Sequence, residues 1–222
     1  METVIDLSHK LGNNVPVYPG DSAMSCVPVC TIADDEYSVH QITMGSHTGT
    51  HIDAPSHFIP SAKSISDISP SHFVRPIIVA NLAGRLLPRQ KITWDKHLAP
   101  YSAMMHPSVV LIIRTGWSNY WGTPVYFDHP YLDAECAQKI VDAGIRIVAL
   151  DTPSPDRTPR EGESSDYPAH KTILGAGGII AENLTNLDQL PERGMTISLM
   201  PLNIEDCDGA PVRAFAWRTG DL

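Results

Sequence analysis

Three histidines and an aspartate lie within eleven consecutive residues, in the segment His47-Thr-Gly-Thr-His51-Ile-Asp53-Ala-Pro-Ser-His57. Imidazole and carboxylate groups together form a ligand set that suits Zn²⁺ or Mn²⁺ and suits Ca²⁺ poorly. A single histidine in a strand is most often a structural residue that makes hydrogen bonds. Four ligand-type residues so close together are difficult to assign to core packing. The spacing therefore predicts a metal site.

The conformation of this segment decides which of its side chains can reach one ion. Gly49 and Pro55 disfavour a helix, so we expect an extended segment in which positions 47, 49, 51 and 53 face one side. Gly49 would then leave open space beneath the metal. A straight strand would separate His47 from His51 by roughly 13 Å, so we expect a bend or bulge at Gly49. Pro55 should end the strand and let His57 turn back toward the site.

Two further candidate residues, His170 and Glu182, lie later in the chain. Taken alone, His170 could cap a helix and Glu182 could be a surface acid. Glu182, however, closes the apolar run Gly177-Gly-Ile-Ile-Ala181. A carboxylate buried at the end of such a run needs a cation or hydrogen bonds. The residues by themselves indicate a partner for Glu182 and leave the role of His170 open.

Strands dominate the elements that must position these side chains. We predict strands at Thr3–Leu7, Tyr37–Met44, Ile77–Leu82, Val109–Arg114, Ile145–Leu150, Ile179–Ala181 and Met195–Leu199. Several of these are short apolar runs rich in β-branched residues, a pattern typical of strands covered on both faces. The apolar residues of Asp133–Ala143 have helical spacing, which predicts a helix that ends at Gly144 as its cap. The segment Gly175-Ala-Gly-Gly178 predicts the end of another helix, followed by a strand. The predicted fold class is mixed α/β, in one domain of residues 1–222.

Composition limits the partners and the compartment. The chain has 222 residues, a formal net charge of −9 and scattered Lys and Arg residues, which argues against nucleic acid as a partner. It has no apolar run of the roughly 18 residues that a membrane span needs, and the acid at position 2 argues against a signal peptide. The cysteines Cys26, Cys30, Cys136 and Cys207 show no zinc-ligand spacing. We expect them to be reduced, in a cytoplasmic protein that acts on a small molecule.

The histidine segment resembles the signature of the cyclase superfamily of metal-dependent hydrolases, which includes bacterial-type kynurenine formamidases and isatin hydrolases. The resemblance extends over nearly the whole chain. It is carried further by Val15-Pro-Val-Tyr18-Pro-Gly-Asp21, Ile113-Arg-Thr-Gly-Trp117, Ala149-Leu-Asp151-Thr-Pro-Ser-Pro-Asp156, Pro201-Leu-Asn-Ile-Glu205 and Asp208-Gly-Ala-Pro-Val-Arg213. It implies a swivelling β/β/α fold with a mixed sheet. It also implies a homodimer or a dimer of dimers, with active sites near the subunit interface.

The same resemblance implies roles for individual residues. His47, His51 and Asp53 would bind one metal ion, while His170 and Glu182 would complete a second site in which Asp53 and Glu182 bridge the ions. His57 matches the general acid and base. Zn²⁺ is the expected metal and Mn²⁺ the alternative, at one or two ions per chain. Tyr18 stands where kynurenine formamidases carry a tryptophan, and we expect it to line the pocket for an aromatic or cyclic substrate.

The expected reaction is the hydrolysis of a small amide, formamide, lactam or lactone. A divalent ion would activate water, and His57 would transfer the proton. The sequence lacks the Gly-x-Ser-x-Gly elbow that many serine hydrolases carry. Two alternatives stay open at this point. One is a biosynthetic cyclase or dehydratase on the same scaffold, and the other is a non-catalytic metal-binding protein.

Overall fold

A computed structural model describes residues 4–164 and 166–220 of the chain. Within these ranges it has thirteen strands and three α-helices. The strands are β1 (Ile5–Asp6), β2 (Ser25–Cys30), β3 (Val39–Thr43), β4 (His51–Asp53), β5 (Val74–Asn81), β6 (Lys91–Ile92), β7 (Val110–Arg114), β8 (Tyr131–Leu132), β9 (Ile147–Leu150), β10 (Ile179–Glu182), β11 (Arg193–Ser198), β12 (Gly209–Pro211) and β13 (Phe215–Arg218). The helices are α1 (Ile32–Asp35), α2 (Ala134–Asp142) and α3 (Pro168–Gly175).

Nine of the strands form one mixed sheet in the order β1-β13-β11-β5-β7-β9-β10-β4-β12. Strands β5, β7, β9 and β10 are parallel and form its centre. The strands on both flanks are antiparallel to their neighbours. The sheet with its helices confirms the predicted mixed α/β class.

The central strands are buried on both faces, as their continuous apolar sequences predict. Successive residues of β5 point to opposite faces, so Ile77 and Val79 join one apolar cluster while Ile78 and Ala80 join another. Helices α2 and α3 cover the second cluster. The first cluster takes residues from β4, β11, β12 and β13, so the sheet curls around it.

Most predicted elements are confirmed, with bounds that shift by a few residues. Helix α2 begins after Asp133, whose side chain accepts a hydrogen bond from the backbone nitrogen of Cys136 at 2.8 Å. Gly144 follows this helix with a φ of 90°, a conformation that favours glycine. Helix α3 ends at Gly175 and β10 begins at Ile179, as the glycine-rich segment predicts. Thr3, the start of the first predicted strand, lies outside the described residues.

Two strands of the sheet are missing from the prediction. Strand β12 consists of Gly209, Ala210 and Pro211, residue types that are depleted in strands. Its backbone nevertheless pairs with β4, and all three residues are buried. Strand β13 is also missed, although it lies between β1 and β11.

Strands β2 and β3 form a separate hairpin that leads into the histidine segment. The predicted strand Tyr37–Met44 is observed as Val39–Thr43, and all five of its residues are exposed. In the described part of the chain the longest helix, α2, has nine residues, and none there has the length and apolarity of a membrane span.

Candidate metal centre

Neighbouring strands β4 and β10 hold three of the predicted ligands. His51 and Asp53 are two positions apart on β4, so their side chains point to the same face. The antiparallel register places Glu182, the last residue of β10, directly opposite His51. All three residues are buried, with at most 5% of their surface exposed. Strand pairing therefore brings an imidazole and two carboxylates together inside the protein.

Helix α3 brings the fourth ligand candidate to the same place. His170 lies in the first turn of this helix, and its Nε2 is 3.5 Å from Asp53 Oδ2 and 3.3 Å from Glu182 Oε1. On the other side, His51 Nε2 is 3.2 Å from Asp53 Oδ1 and 3.3 Å from Glu182 Oε2. Each carboxylate therefore turns one oxygen toward each imidazole. This is the arrangement expected of carboxylates that bridge two ions.

The donor atoms of this cluster fit a divalent ion. Bonds of about 2.0–2.1 Å in a tetrahedral site place neighbouring ligand atoms roughly 3.3 Å apart, close to the four distances between imidazole and carboxylate atoms. His51 Nε2, Asp53 Oδ2 and Glu182 Oε1 are buried and have no hydrogen-bond partner among the described residues. Leaving such atoms unpaired is costly, and a bound cation would satisfy all three.

Hydrogen bonds on the far side of the imidazoles orient them as ligands. His51 Nδ1 lies 2.8 Å from the carbonyl of Gly49, and His170 Nδ1 lies 2.7 Å from Asp156 Oδ2. Each Nδ1 therefore donates its proton away from the cluster, so Nε2 is the atom that faces the cluster and can bind a metal ion once its own proton is displaced. The carboxylate of Asp156 also accepts from the backbone nitrogens of Ala169 and His170 at 2.8 and 2.9 Å.

Asp156 orients a candidate ligand, His170, and reasoning from residue types does not assign it this position. It lies fourteen positions before His170, in a proline-rich segment with no obvious periodicity. The available signal is its position in the loop after β9, because ligand sites in parallel sheets lie beyond the carboxyl ends of the strands.

The turn before β4 differs from the extended segment that the spacing predicts. The bend at Gly49 is confirmed, with a φ of 67°, but regular strand structure begins only at His51. The predicted open space beneath the metal is wrong, because a side chain at Gly49 would collide with Leu11. The turn still delivers His47, whose Nδ1 lies 2.7 Å from Asp53 Oδ1.

A side-chain network fixes this turn. Asn183, with a φ of 57°, donates from Nδ2 to the carbonyl of Gly49 at 2.8 Å. The hydroxyl of Tyr126 donates in turn to Asn183 Oδ1 at 2.8 Å. The carbonyl of Gly49 thus accepts from both Asn183 and His51, which ties the turn to the end of β10.

His57 lies at the open side of the cluster, as the proline before it predicts. The 3₁₀ turn Pro55–His57 returns its ring to within 4.0 Å of the His47 ring, centroid to centroid. Its side chain is 27% exposed, against 2% for His51. The donor atoms of His47, Asp53 and His57 lie within 4.8 Å of one another, so this group could also hold an ion.

Asp208 contacts the same two histidines and is absent from the predicted site. Its Oδ2 lies 3.0 Å from His47 Nε2 and 3.0 Å from His57 Nδ1. Asp208 comes 151 positions after His57 and immediately before strand β12, which the sequence does not predict. Asp208 reaches the site only because β12 pairs with β4, and this pairing is not evident in the sequence.

The electrostatics of the cluster favour a cation. Burial opposes the protonation of His47 and His51, but the neighbouring carboxylates raise the pKa of His47 to about 9 and that of His51 to about 10. The pKa of His170 is also raised, by Asp156, Asp53 and Glu182 against the effect of burial. Burial opposes ionisation of Asp53, yet the histidines around it hold its pKa well below the usual range. In the absence of a metal ion, these histidines therefore keep their protons to a higher pH than ordinary histidines do.

The metal candidates open into a cavity of about 270 Å³. Most of its apolar wall is aromatic, contributed by Tyr18, Phe58, Tyr126, Phe127 and Tyr167. The predicted substrate contact Tyr18 is thus in the wall of the same cavity as the predicted ligands. Burial raises the pKa of its phenol above the usual value. A flat ring could lie between these side chains with a polar group at the cluster.

Comparisons with known proteins agree with the predicted resemblance. The family model named Cyclase matches residues 5–157. The kynurenine formamidase of Geobacillus thermodenitrificans is 33% identical over 222 residues, covering 99% of this chain and all of that protein. That of Bacillus cereus is 31% identical over 214 residues, covering 95% of each. A solved structure of isatin hydrolase A from Labrenzia aggregata, bound to benzyl benzoate, has a TM-score of 0.86 and 27% identity, covering 98% of this chain and 94% of that one.

Proposed function

Because the chain belongs to the cyclase family, we propose that it is a metal-dependent hydrolase of small amides, formamides, lactams or lactones. One observation carries the proposal. A buried cluster of imidazoles and carboxylates opens into a cavity with aromatic walls, and three of its ligand atoms have no hydrogen-bond partner in the part of the chain that the structure describes. The site therefore offers a place for a metal and a place for a substrate side by side.

The ligand assignment is part of the proposal. His47, His51 and Asp53 hold one ion, and His170 and Glu182 hold a second one together with Asp53. The support is the spacing of 3.2–3.5 Å between imidazole nitrogens and carboxylate oxygens. Zn²⁺ is the proposed metal and Mn²⁺ the alternative, since both accept nitrogen and oxygen ligands.

The remaining residues supply positioning and proton transfer. A bound divalent ion lowers the pKa of water toward about 7 and polarises a carbonyl oxygen. His57 takes the proton from the attacking water and gives it to the leaving nitrogen or oxygen. Its partial exposure at the edge of the cavity supports this role, because a proton carrier must reach both water and substrate.

The proposed substrate is aromatic or cyclic. Similar proteins are named for kynurenine and isatin, and the aromatic walls of the cavity suit a flat ring. Tyr18 contributes to binding through stacking, which is worth around 0.5–1.5 kcal/mol.

A panel of aryl formamides, lactams and lactones, assayed with the zinc-loaded protein, tests the proposal. His57→Asn should keep its metal and lower kcat by roughly two to four orders of magnitude. His51→Ala should lose both metal and activity. His72→Asn is the matched control, because His72 is exposed and lies outside the cluster. Absence of hydrolysis across the whole panel with metal bound, or normal turnover in His57→Asn, would contradict the proposal.

We also propose that the protein is a cytoplasmic homodimer, or a dimer of dimers, built from single-domain chains. The support for a second copy is the hairpin of β2 and β3 with the short helix between them. In this hairpin 52–73% of the surface of each of four residues is exposed, namely Val29, Ile32, Tyr37 and Ile42. So many exposed apolar side chains close together are typical of an interaction surface. All four cysteines are free, which supports a reducing compartment.

Light scattering after size-exclusion chromatography tests the dimer. The wild type should elute as a dimer, and the pair Ile32→Asp and Ile42→Lys should give monomers that keep their fold. Leu87→Lys is the control, because Leu87 is 71% exposed but lies outside the hairpin. A wild type that is monomeric at micromolar concentration would refute the dimer.

A further inference from the structure

One carboxylate oxygen contacts both a proposed metal ligand and the proposed base. Asp208 Oδ2 lies 3.0 Å from His47 Nε2 and 3.0 Å from His57 Nδ1. Asp208 Oδ1 lies on the other side, 3.9 Å from the thiol of Cys207. An ionised carboxylate only accepts hydrogen bonds, so both ring nitrogens must carry protons and donate to it.

The position of Asp208 is built into the sheet. Its carbonyl accepts a hydrogen bond from the backbone nitrogen of Ala54 at 2.8 Å. The next residue, Gly209, pairs with Asp53 across β12 and β4. A Cβ at Gly209 would lie 2.7 Å from the ring of His47, so glycine lets the ring lie against the strand. The carboxylate is therefore held by the backbone of the strand beside the ligands.

We propose that Asp208 is a positioning residue that fixes the ring orientation and the tautomer of His57. Because Nδ1–H of His57 donates its hydrogen bond to Asp208, Nε2 is the ring nitrogen that remains available for proton transfer. The ring of His57 lines the cavity. The residues that the structure describes give Nε2 of His57 no hydrogen bond. This inference rests on the proposed function, because it assigns the base of that reaction its reactive nitrogen.

The proton balance follows from this geometry. Nε2 of His57 accepts a proton from the attacking water, and the ring becomes an imidazolium while Nδ1–H stays bound to Asp208. The negative carboxylate stabilises this charge, as the aspartate of a catalytic triad does, without taking up the proton. Nε2 then gives the proton to the leaving nitrogen or oxygen, and His57 returns to its neutral tautomer.

The rival role for Asp208 is support of His47 alone, and a double-mutant cycle separates the two. Asp208→Ala and Asp208→Asn are measured in the wild type and in His57→Ala, all loaded with zinc. We expect Asp208→Ala to lower kcat by about a hundredfold in the wild type and to have little effect in His57→Ala. KM and zinc content should stay within about twofold. Asp206→Asn, an exposed acid in the same loop, should behave as the wild type.

A loss of kcat that is equally large in the His57→Ala background would overturn the proposal, because Asp208 would then act without His57. Zinc loss in proportion to activity would also overturn it, in favour of a role through His47. A kcat close to the wild type in Asp208→Ala would overturn the proposal as well, because the orientation of His57 would then not depend on Asp208.

A spectroscopic measurement keeps the proposal testable if the variants fail to fold or if no substrate is turned over. In ¹⁵N-histidine-labelled wild-type protein loaded with zinc, the neutral form of His57 should carry its proton on Nδ1 and none on Nε2. Asp208→Asn should shift the Nδ1 signal or reverse the tautomer. A wild-type His57 with its proton on Nε2 would refute the positioning role. Correct tautomers without turnover on any substrate would refute the proposed function and leave the geometry of Asp208 intact.

Discussion

The affinity for zinc should rise steeply between pH 7.0 and 8.0, a range in which ordinary histidines have already lost their protons. In the metal-free protein the carboxylates around His47 and His51 raise their pKa values to about 9 and about 10 against the effect of burial. Both rings are therefore protonated at pH 7, while Asp53 is already ionised. A metal ion must displace these protons to bind.

The size of the effect follows from the number of protons released. Each proton raises the apparent affinity tenfold per pH unit, or about 1.4 kcal/mol. His47 and His51, the two histidines proposed to bind the first ion, together give about a hundredfold increase in the affinity of that site from pH 7.0 to 8.0. Two histidines with the ordinary pKa of about 6.5 would give less than about a twofold increase over the same range.

Competition against a chromophoric zinc chelator, corrected for the chelator's own protonation, measures this slope. His47→Asn should lower it to about tenfold per pH unit, and His72→Asn should leave it unchanged. An increase of no more than about twofold in the wild type would refute the reasoning, because the cluster would then hold no extra protons.

Three further outcomes follow from single residues. Tyr18→Ala should raise KM for aromatic substrates by several-fold, consistent with stacking worth 0.5–1.5 kcal/mol, with metal content unchanged; an unchanged KM would make Tyr18 structural. Gly49→Ala should lower the free energy of unfolding by about 1–3 kcal/mol through its left-handed φ, because the end of the exposed Leu11 side chain that the new Cβ would meet can move away. Gly84→Ala, with a similar φ and open space around it, should lose a similar amount in the same denaturation. Burial lowers the pKa of His129 to about 4, so the unfolded chain takes up its proton first as pH falls. Stability should then fall between pH 6.5 and 4 by up to about 3 kcal/mol, and His129→Asn should show a shallower fall.

The ligands on β4 and β10 could be predicted from the sequence because strand periodicity is local. His51 and Asp53 share a face by their spacing alone, and Glu182 ends an apolar run that reads as a strand. The bend at Gly49 could be predicted because a straight strand cannot bring His47 near His51. Each of these inferences needs only the backbone geometry of the short segment in which the residue lies.

The residues behind the ligands could not be predicted in this way. Asp156 and Asp208 contact residues fourteen and 151 positions away. Both lie in stretches that carry the family resemblance, but their residue types and spacing alone assign them no role. The surroundings of Gly49 could not be predicted for the same reason, since the side chain that occupies the space beside it belongs to Leu11, which is distant in sequence. Strand β12 could not be predicted because glycine and proline disfavour strands, although here Gly209 allows the ring of His47 to pack closely.

Metal content measured together with activity tests the metal-dependent mechanism most directly. The purified chain should contain one or two zinc or manganese ions, and removing them with a chelator should abolish hydrolysis of a responsive aryl formamide or lactam. Adding zinc or manganese back should restore the activity, while His51→Ala should stay folded, metal-free and inactive. A chelated protein that contains no transition metal and remains fully active would contradict the assignment of this site.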